Sequence, residues 1–174
     1  MGEIRPFTPE KLIAGVLISR SEFLPEVEGK LQVEFGPMDY RSGLFPFTFT
    51  DYYDREMGSE IFRCFFSFKE LVDPAELAAI KLRCNELEQL FLEEGRRKVN
   101  LDPGLLSLGK LILASTKDNA QRVPLSRGIY GEISLIYRKK AFRPLPWTYP
   151  DYQSDRYHEI LRHIRGLYAE QLRG

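Results

Sequence analysis

Residues 61–104 read IFRCFFSFKELVDPAELAAIKLRCNELEQLFLEEGRRKVNLDPG, and three elements follow one another in them. In Ile61–Phe68 the side chains alternate, with Phe62, Cys64, Phe66 and Phe68 on one face of a strand and Arg63, Phe65 and Ser67 on the other. Asp73 is then followed by Pro74 and, three residues on, by Glu76, the signature of a helix N-terminus. Leu77, Ile80, Cys84, Leu87 and Phe91 form its apolar stripe, and Gly95 is expected to end it. Arg97–Asp102 alternates again: Val99 and Leu101 point one way, Lys98, Asn100 and Asp102 the other. Pro103-Gly104 predicts a turn.

Upstream, Leu12–Ile18 (LIAGVLI) is a continuous apolar run, as a central strand buried on both faces requires. Phe23, Leu24, Val27, Leu31 and Phe35 recur at helical spacing and are closed by Gly36-Pro37. Phe45, Phe47 and Phe49 alternate with Pro46, Thr48 and Thr50; Pro46 cannot donate to a ladder, so this strand belongs at an edge. The order strand, helix, strand, strand, helix, strand over residues 10–104 is that of a ferredoxin-like split βαβ unit (β-α-β-β-α-β). It would place Leu12–Ile18 and Ile61–Phe68 in mid-sheet. Residues 1–9 read as an N-terminal arm. Residues 105–152 add two or three antiparallel strands, Leu111–Thr116, Ile129–Arg138 and Phe142–Pro146, with a loop over Asp118–Gly128. Residues 153–174 form a last helix capped by Ser154 or Asp155, with the stripe Tyr157, Ile160, Leu161, Ile164, Leu167 and Tyr168. The expectation is a single α+β domain over residues 1–174.

The 25 basic residues are matched by 25 acidic ones, so no charge excess drives binding to a nucleic-acid backbone, and no such partner is expected. Leu12–Ile18 is too short for a signal peptide and has no small-residue cleavage site, and no run approaches a membrane span. Cys64 and Cys84 sit in apolar runs outside any CxxC pair, as free thiols in a reducing cytoplasm would. Aromatics at 13% fit either a β-rich core or an apolar surface that a partner or a second copy covers.

Four features could carry chemistry. Gly104, Gly109 and Lys110 satisfy the phosphate-loop spacing, but Leu111 stands where magnesium needs Ser or Thr, and three of the four intervening residues are leucines. This favours a turn and an apolar strand over a nucleotide loop. The second feature is the polar sheet face: Thr48, Thr50, Arg63, Ser67, Lys98, Asn100 and Asp102. One reading has the later strands covering it, with Arg63 and Asp102 as an internal ion pair. The other has Arg63 and Lys98 holding an anion that Asn100 or Asp102 orients. Third, Asp51, Asp54 and Glu56, in the acidic loop Asp51–Glu60, are candidates for a divalent metal. Fourth, in Trp147–Tyr152 (WTYPDY) the rings could close a pocket or pin the last helix. His158 and His163 are five apart on a helix and do not form a metal pair.

Six stretches resemble the family known as domain of unknown function forty-four sixteen: FPFTFTDYYDREMG (45–58), SFKELVDPAELAAIKLRCNELE (67–88), VNLDPG (99–104), KLILASTKD (110–118), GIYGEISLIYRK (128–139) and PLPWTYPDY (144–152). Members of that family are sometimes labelled GTP-binding. The resemblance implies no catalytic residues. It points to Asp51, Tyr53, Glu56, Asn85, Asn100, Asp102, Lys117, Asp118 and Arg138 as polar positions where a site is first sought. The sequence therefore supports a binding protein for a small anionic ligand or nucleotide, with Arg63, Lys98, Asn100, Asp102, Lys117 and Arg138 as candidate contacts. Two alternatives stay open, a metal-dependent phosphate-transforming enzyme and a structural subunit or adaptor.

Overall fold

The computed structural model describes residues 2–58 and 60–174. Met1, in the expected arm, and Ser59, in the expected acidic loop, lie outside the described residues. The elements in chain order are β1 (Glu10–Ile18), α1 (Leu24–Phe35), β2 (Met38–Arg41), β3 (Phe45–Pro46), α2 (Asp54–Met57), β4 (Phe62–Val72), α3 (Leu77–Gln89), β5 (Leu92–Glu93), β6 (Arg96–Arg97), β7 (Val99–Leu106), β8 (Lys110–Ser115), β9 (Val123–Ser126), β10 (Ile129–Arg138), β11 (Ala141–Pro144) and α4 (Asp155–Gln171). The chain is thus mixed α and β. One large antiparallel sheet runs β11-β10-β8-β7-β1-β4-β2, with β3 also on β4 and β9 also on β10; β5 and β6 form a separate hairpin.

The apolar run of β1 is central, paired to β4 on one side and β7 on the other. It is buried on both faces because each face has its own cover. Leu12, Ala14, Val16 and Ile18 meet Val27 and Leu31 of α1 and Leu77, Ile80 and Cys84 of α3. Ile13 belongs to a second core with Phe65, Leu106, Leu111 and Leu135, closed by Tyr157, Leu161 and Ile164 of α4. Burying each such aliphatic side chain contributes about 1.5–3 kcal/mol. The C-terminal helix, and not the later strands, covers the sheet face carrying Arg63; the later strands lengthen the sheet.

Four local expectations are corrected. Only Phe45–Pro46 of the predicted 45–49 strand pairs with β4, at an edge, and β2 takes the pairing further along. The helix from Asp73 ends at Gln89, and Glu94-Gly95, both at positive φ, turn the β5–β6 hairpin. Pro103-Gly104 is not a turn: β7 runs straight through it beside β1. Gly104 is consequently part of a buried strand and no phosphate loop exists there; the real turn is at Ser107–Gly109. Finally, the loop over Asp118–Gly128 contains β9.

Candidate functional site

Beyond Gly104 the β7–β8 ladder stops. Gly104, Leu105 and Leu106 pair with Leu113, Ile112 and Leu111, whereas Val99–Pro103 has β1 on one side and no strand on the other. Pro103 stands where the strands part, and its missing N–H needs no partner there. The freed edge of β7 is served by α3. The Leu101 N–H donates to Glu88 Oε1 at 2.7 Å, and the Leu101 C=O accepts from Lys81 Nζ at 2.7 Å. These side chains replace the missing strand, so β8 can diverge without stranding buried peptide groups. Between the diverging strands lies a cleft of about 480 Å3.

Its floor is the polar face of β4 and β7. Arg63, 2% exposed, donates from Nε to the Tyr157 hydroxyl at 3.0 Å, from Nη1 to Asp102 at 3.2 Å and from Nη2 to Asp151 at 3.2 Å. Gly15 makes room for it: a Cβ there would lie 2.9 Å from Arg63 Nη1 and 3.1 Å from the Tyr152 hydroxyl. Burial alone would raise the Asp102 carboxyl, but Arg63 and Lys81 beside it hold it below the usual carboxylate range. Asp151 is raised, because burial and the neighbouring Asp102 outweigh its share of Arg63. Asp102 keeps 26% of its side chain exposed, and it lines the cleft. Asn100, 5% exposed, accepts from Arg97 Nη1 at 2.9 Å, while its Nδ2 finds no acceptor within bonding geometry. The buried Tyr152 hydroxyl is likewise unpartnered.

Two walls close the sides. Phe47, Phe49, Tyr52 and Tyr53 come from the segment between β3 and α2. The α2 turn that follows is tethered by Glu56 to Arg97 (2.7 Å), which also holds Glu88. Opposite, Arg122 binds Glu132, Ser115, the Lys117 carbonyl and the Tyr149 hydroxyl, fixing the end of β8 against residues 149–152. Lys117 at the rim donates to the Tyr52 hydroxyl at 2.6 Å and has no carboxylate partner among the described residues. The lining carries five cations, Arg63, Lys81, Arg97, Lys117 and Arg122, against the three carboxylates Asp102, Glu132 and Asp151.

Four of the six candidate contacts, Arg63, Asn100, Asp102 and Lys117, therefore meet in one cleft. Lys98 does not join them: β7 begins only at Val99, and Lys98 lies with Glu93, Glu94 and Arg96 in a surface depression. Arg138 sits exposed at the far end of β10 opposite Ala141. The acids Asp51, Asp54 and Glu56 do not converge; Glu56 is on Arg97, and among the described residues no three His, Cys, Asp or Glu side chains gather as a metal site. In the WTYPDY segment Tyr149 and Tyr152 line the cleft while Trp147 donates to the Ile133 carbonyl. His158 binds the Tyr152 carbonyl and His163 packs on Tyr40, both away from the cleft.

Lys81, Arg97, Arg122 and Glu132 were not anticipated. A signal existed for two of them. Lys81, Asn85 and Glu88 follow at i, i+4 and i+7 beside the α3 stripe, and Glu132 is the one carboxylate in a mostly apolar strand.

Residues 8–168 match the family model described as Domain of unknown function (DUF4416). The chain belongs to this family. Of the nine polar positions to which the family resemblance pointed, Tyr53, Asn85, Asn100, Asp102 and Lys117 line the cleft, and Glu56 is bonded to its wall. No curated protein and no solved structure gives a significant match. No helix among the described residues is long and apolar enough to cross a membrane.

Proposed function

We propose that this DUF4416 protein binds a small anionic ligand, a nucleotide being a size class that fits, in the cleft between β7 and β8. The observation that carries this reading is the set of unmet polar groups along one cavity. The Asn100 Nδ2 and Tyr152 hydroxyl are buried donors without partners. Leaving such a group unsatisfied costs about 1–3 kcal/mol, which a bound acceptor recovers. Lys117, a cation at the rim without a carboxylate partner among the described residues, supports an anionic ligand, and about 480 Å3 lies in the range of small-molecule sites. Phe49, Tyr52 and Tyr149 are partly exposed and offer ring faces to a planar group.

Calorimetric titration and thermal-shift measurement with nucleoside mono- and triphosphates, with and without magnesium, test this. A metal-independent stabilisation, weakened about tenfold or more in Lys117→Ala with the fold intact, is the expected result. Absence of any shift across the panel rejects it. A shift that requires magnesium and is lost in Asp51→Asn favours the phosphate-transforming enzyme instead. The same reading takes the core as a ferredoxin-like split βαβ unit, supported by the order β7-β1-β4-β2 and by α1 and α3 on one face. It places the protein in the cytoplasm, in keeping with two free thiols.

A further inference from the structure

We infer that the cleft selects a sugar-bearing anion, with vicinal hydroxyls on Asp102 and Asn100 and the anionic group at Lys117. This deepens the proposed function and rests on it. The floor and the rim of the cleft ask for different chemistry. On the floor, Asp102 uses Oδ2 for Arg63; the Asn100 amide stands near enough to the carboxylate to help hold it low, yet closes no hydrogen bond of good geometry to its other oxygen. Two residues away on the same face of β7, Asn100 presents an unpartnered Nδ2. An acceptor and a donor thus stand side by side.

Charge and valence discriminate among the groups that could sit there. A phosphate or carboxylate would satisfy Asn100 but meet the Asp102 carboxylate, with Asp151 behind it on the same guanidinium. An ammonium would satisfy Asp102 but leave Asn100 unmet, and it would face Arg63, Lys81 and Arg97. A hydroxyl donates and accepts at once. A pair of adjacent hydroxyls can give a proton to Asp102 and take the amide proton of Asn100.

The rim differs. Continuing the β7–β8 register from Gly104↔Leu113 would bring Asp102 opposite Ser115 and Asn100 opposite Lys117, and the cleft replaces that missing ladder. A ligand bridging the gap from the floor row reaches Ser115, Thr116 and Lys117, where hydroxyls and a cation without a carboxylate partner receive an anion. The chemistry is shared by a free sugar phosphate and by the ribose phosphate of a nucleotide.

Titration of the full chain separates these cases by changing the ligand, with no need of a variant. The expected order is ribose 5-phosphate at least tenfold tighter than inorganic phosphate, and AMP at least tenfold tighter than its 2′,3′-dideoxy counterpart. Equal affinity for ribose 5-phosphate and AMP assigns a sugar-phosphate site. A clear preference for AMP or GMP over ribose 5-phosphate assigns a nucleotide site. Asn100→Leu, with its fold checked by circular dichroism, should bring ribose 5-phosphate down to the affinity of inorganic phosphate. If the dideoxy compound or inorganic phosphate binds as tightly as its hydroxylated partner, this inference is overturned and the anion-binding reading stands. If no phosphate compound binds, both fall.

Discussion

Arg63 turns its guanidinium inward, and this decides what it can do. It is bonded on three sides to Tyr157, Asp102 and Asp151, and the rings of Phe47, Phe65 and Tyr157 lie within 6 Å of its Cζ. It holds the floor together and leaves Lys117 at the rim as the cation open to a ligand. Arg63→Met should therefore destabilise the fold by about 3–5 kcal/mol, since the buried Asp151 and the half-buried Asp102 both lose their partner. Urea denaturation measures this, and a loss below about 1 kcal/mol would contradict the internal role. The thiols give a second prediction. Burial pushes Cys64 and Cys84 up to about 12, so both stay protonated and unreactive at neutral pH. Native protein should resist a thiol reagent that labels both residues after unfolding; rapid native labelling would show that these positions open. At this scale the sequence was informative wherever a strand was regular. Alternation placed Arg63, Asn100 and Asp102 on one face, whereas Lys98 precedes the first strand residue and leaves that row.

At the scale of elements, the site exists because β7 and β8 part, and no local pattern announces a separation of strands. Pro103-Gly104 has the composition of a turn, but tertiary pairing to β1 keeps both residues extended. The pair has a different role here. Pro103 removes a donor where pairing ends, and Gly104 lets β8 approach at the last paired position. A Cβ on Gly104 would lie 2.8 Å from the Ile112 carbonyl oxygen and 2.8 Å from Leu113 Cδ2. Backbone cannot yield as a flexible side chain does. Gly104→Ala should cost about 1–3 kcal/mol by overpacking and shift the β7–β8 separation, read as lost amide protection at Leu111–Leu113. Unchanged stability and exchange would show that β7 and β8 leave room for a methyl group at Gly104. Arg97 links two other elements, tying Glu56 of α2 to Glu88 of α3 and to Asn100 on β7. Arg97→Met should raise amide exchange in residues 50–57 selectively, because the tether to the cleft wall is lost. The helices were legible because their stripes and caps are local; the cleft between strands depends on what α3 contributes from across the fold.

For the whole molecule, the carboxylates in and behind the cleft floor set how stability responds to pH. Asp102 has a lowered folded value, so its contribution is present above its unfolded pKa and is lost only as pH falls through the depressed one. Asp151 and Glu88 behave in the opposite sense. Burial raises both, against the opposing pull of Arg63 on Asp151 and of Lys81 and Arg97 on Glu88. A carboxyl raised on folding retains its proton in the native state after the unfolded chain has released it. Stability from such a group is complete below the ordinary carboxylate range and declines as pH rises through the raised value. The two shifts act in different windows, since Asp102 matters below the ordinary range and Asp151 and Glu88 above it. Chemical denaturation from about pH 4.5 to 7, starting just above the ordinary carboxylate range, should therefore show a falling midpoint. Asp151→Asn keeps an acceptor for Arg63 Nη2 but cannot titrate, so it should flatten part of that fall while leaving the loss below the ordinary range in place. An unaltered slope in Asp151→Asn would mean that Arg63 stabilises both acids in their ionised forms. The cleft floor would then carry both negative charges at neutral pH, and hydroxyl donors would be favoured there even more strongly over anions.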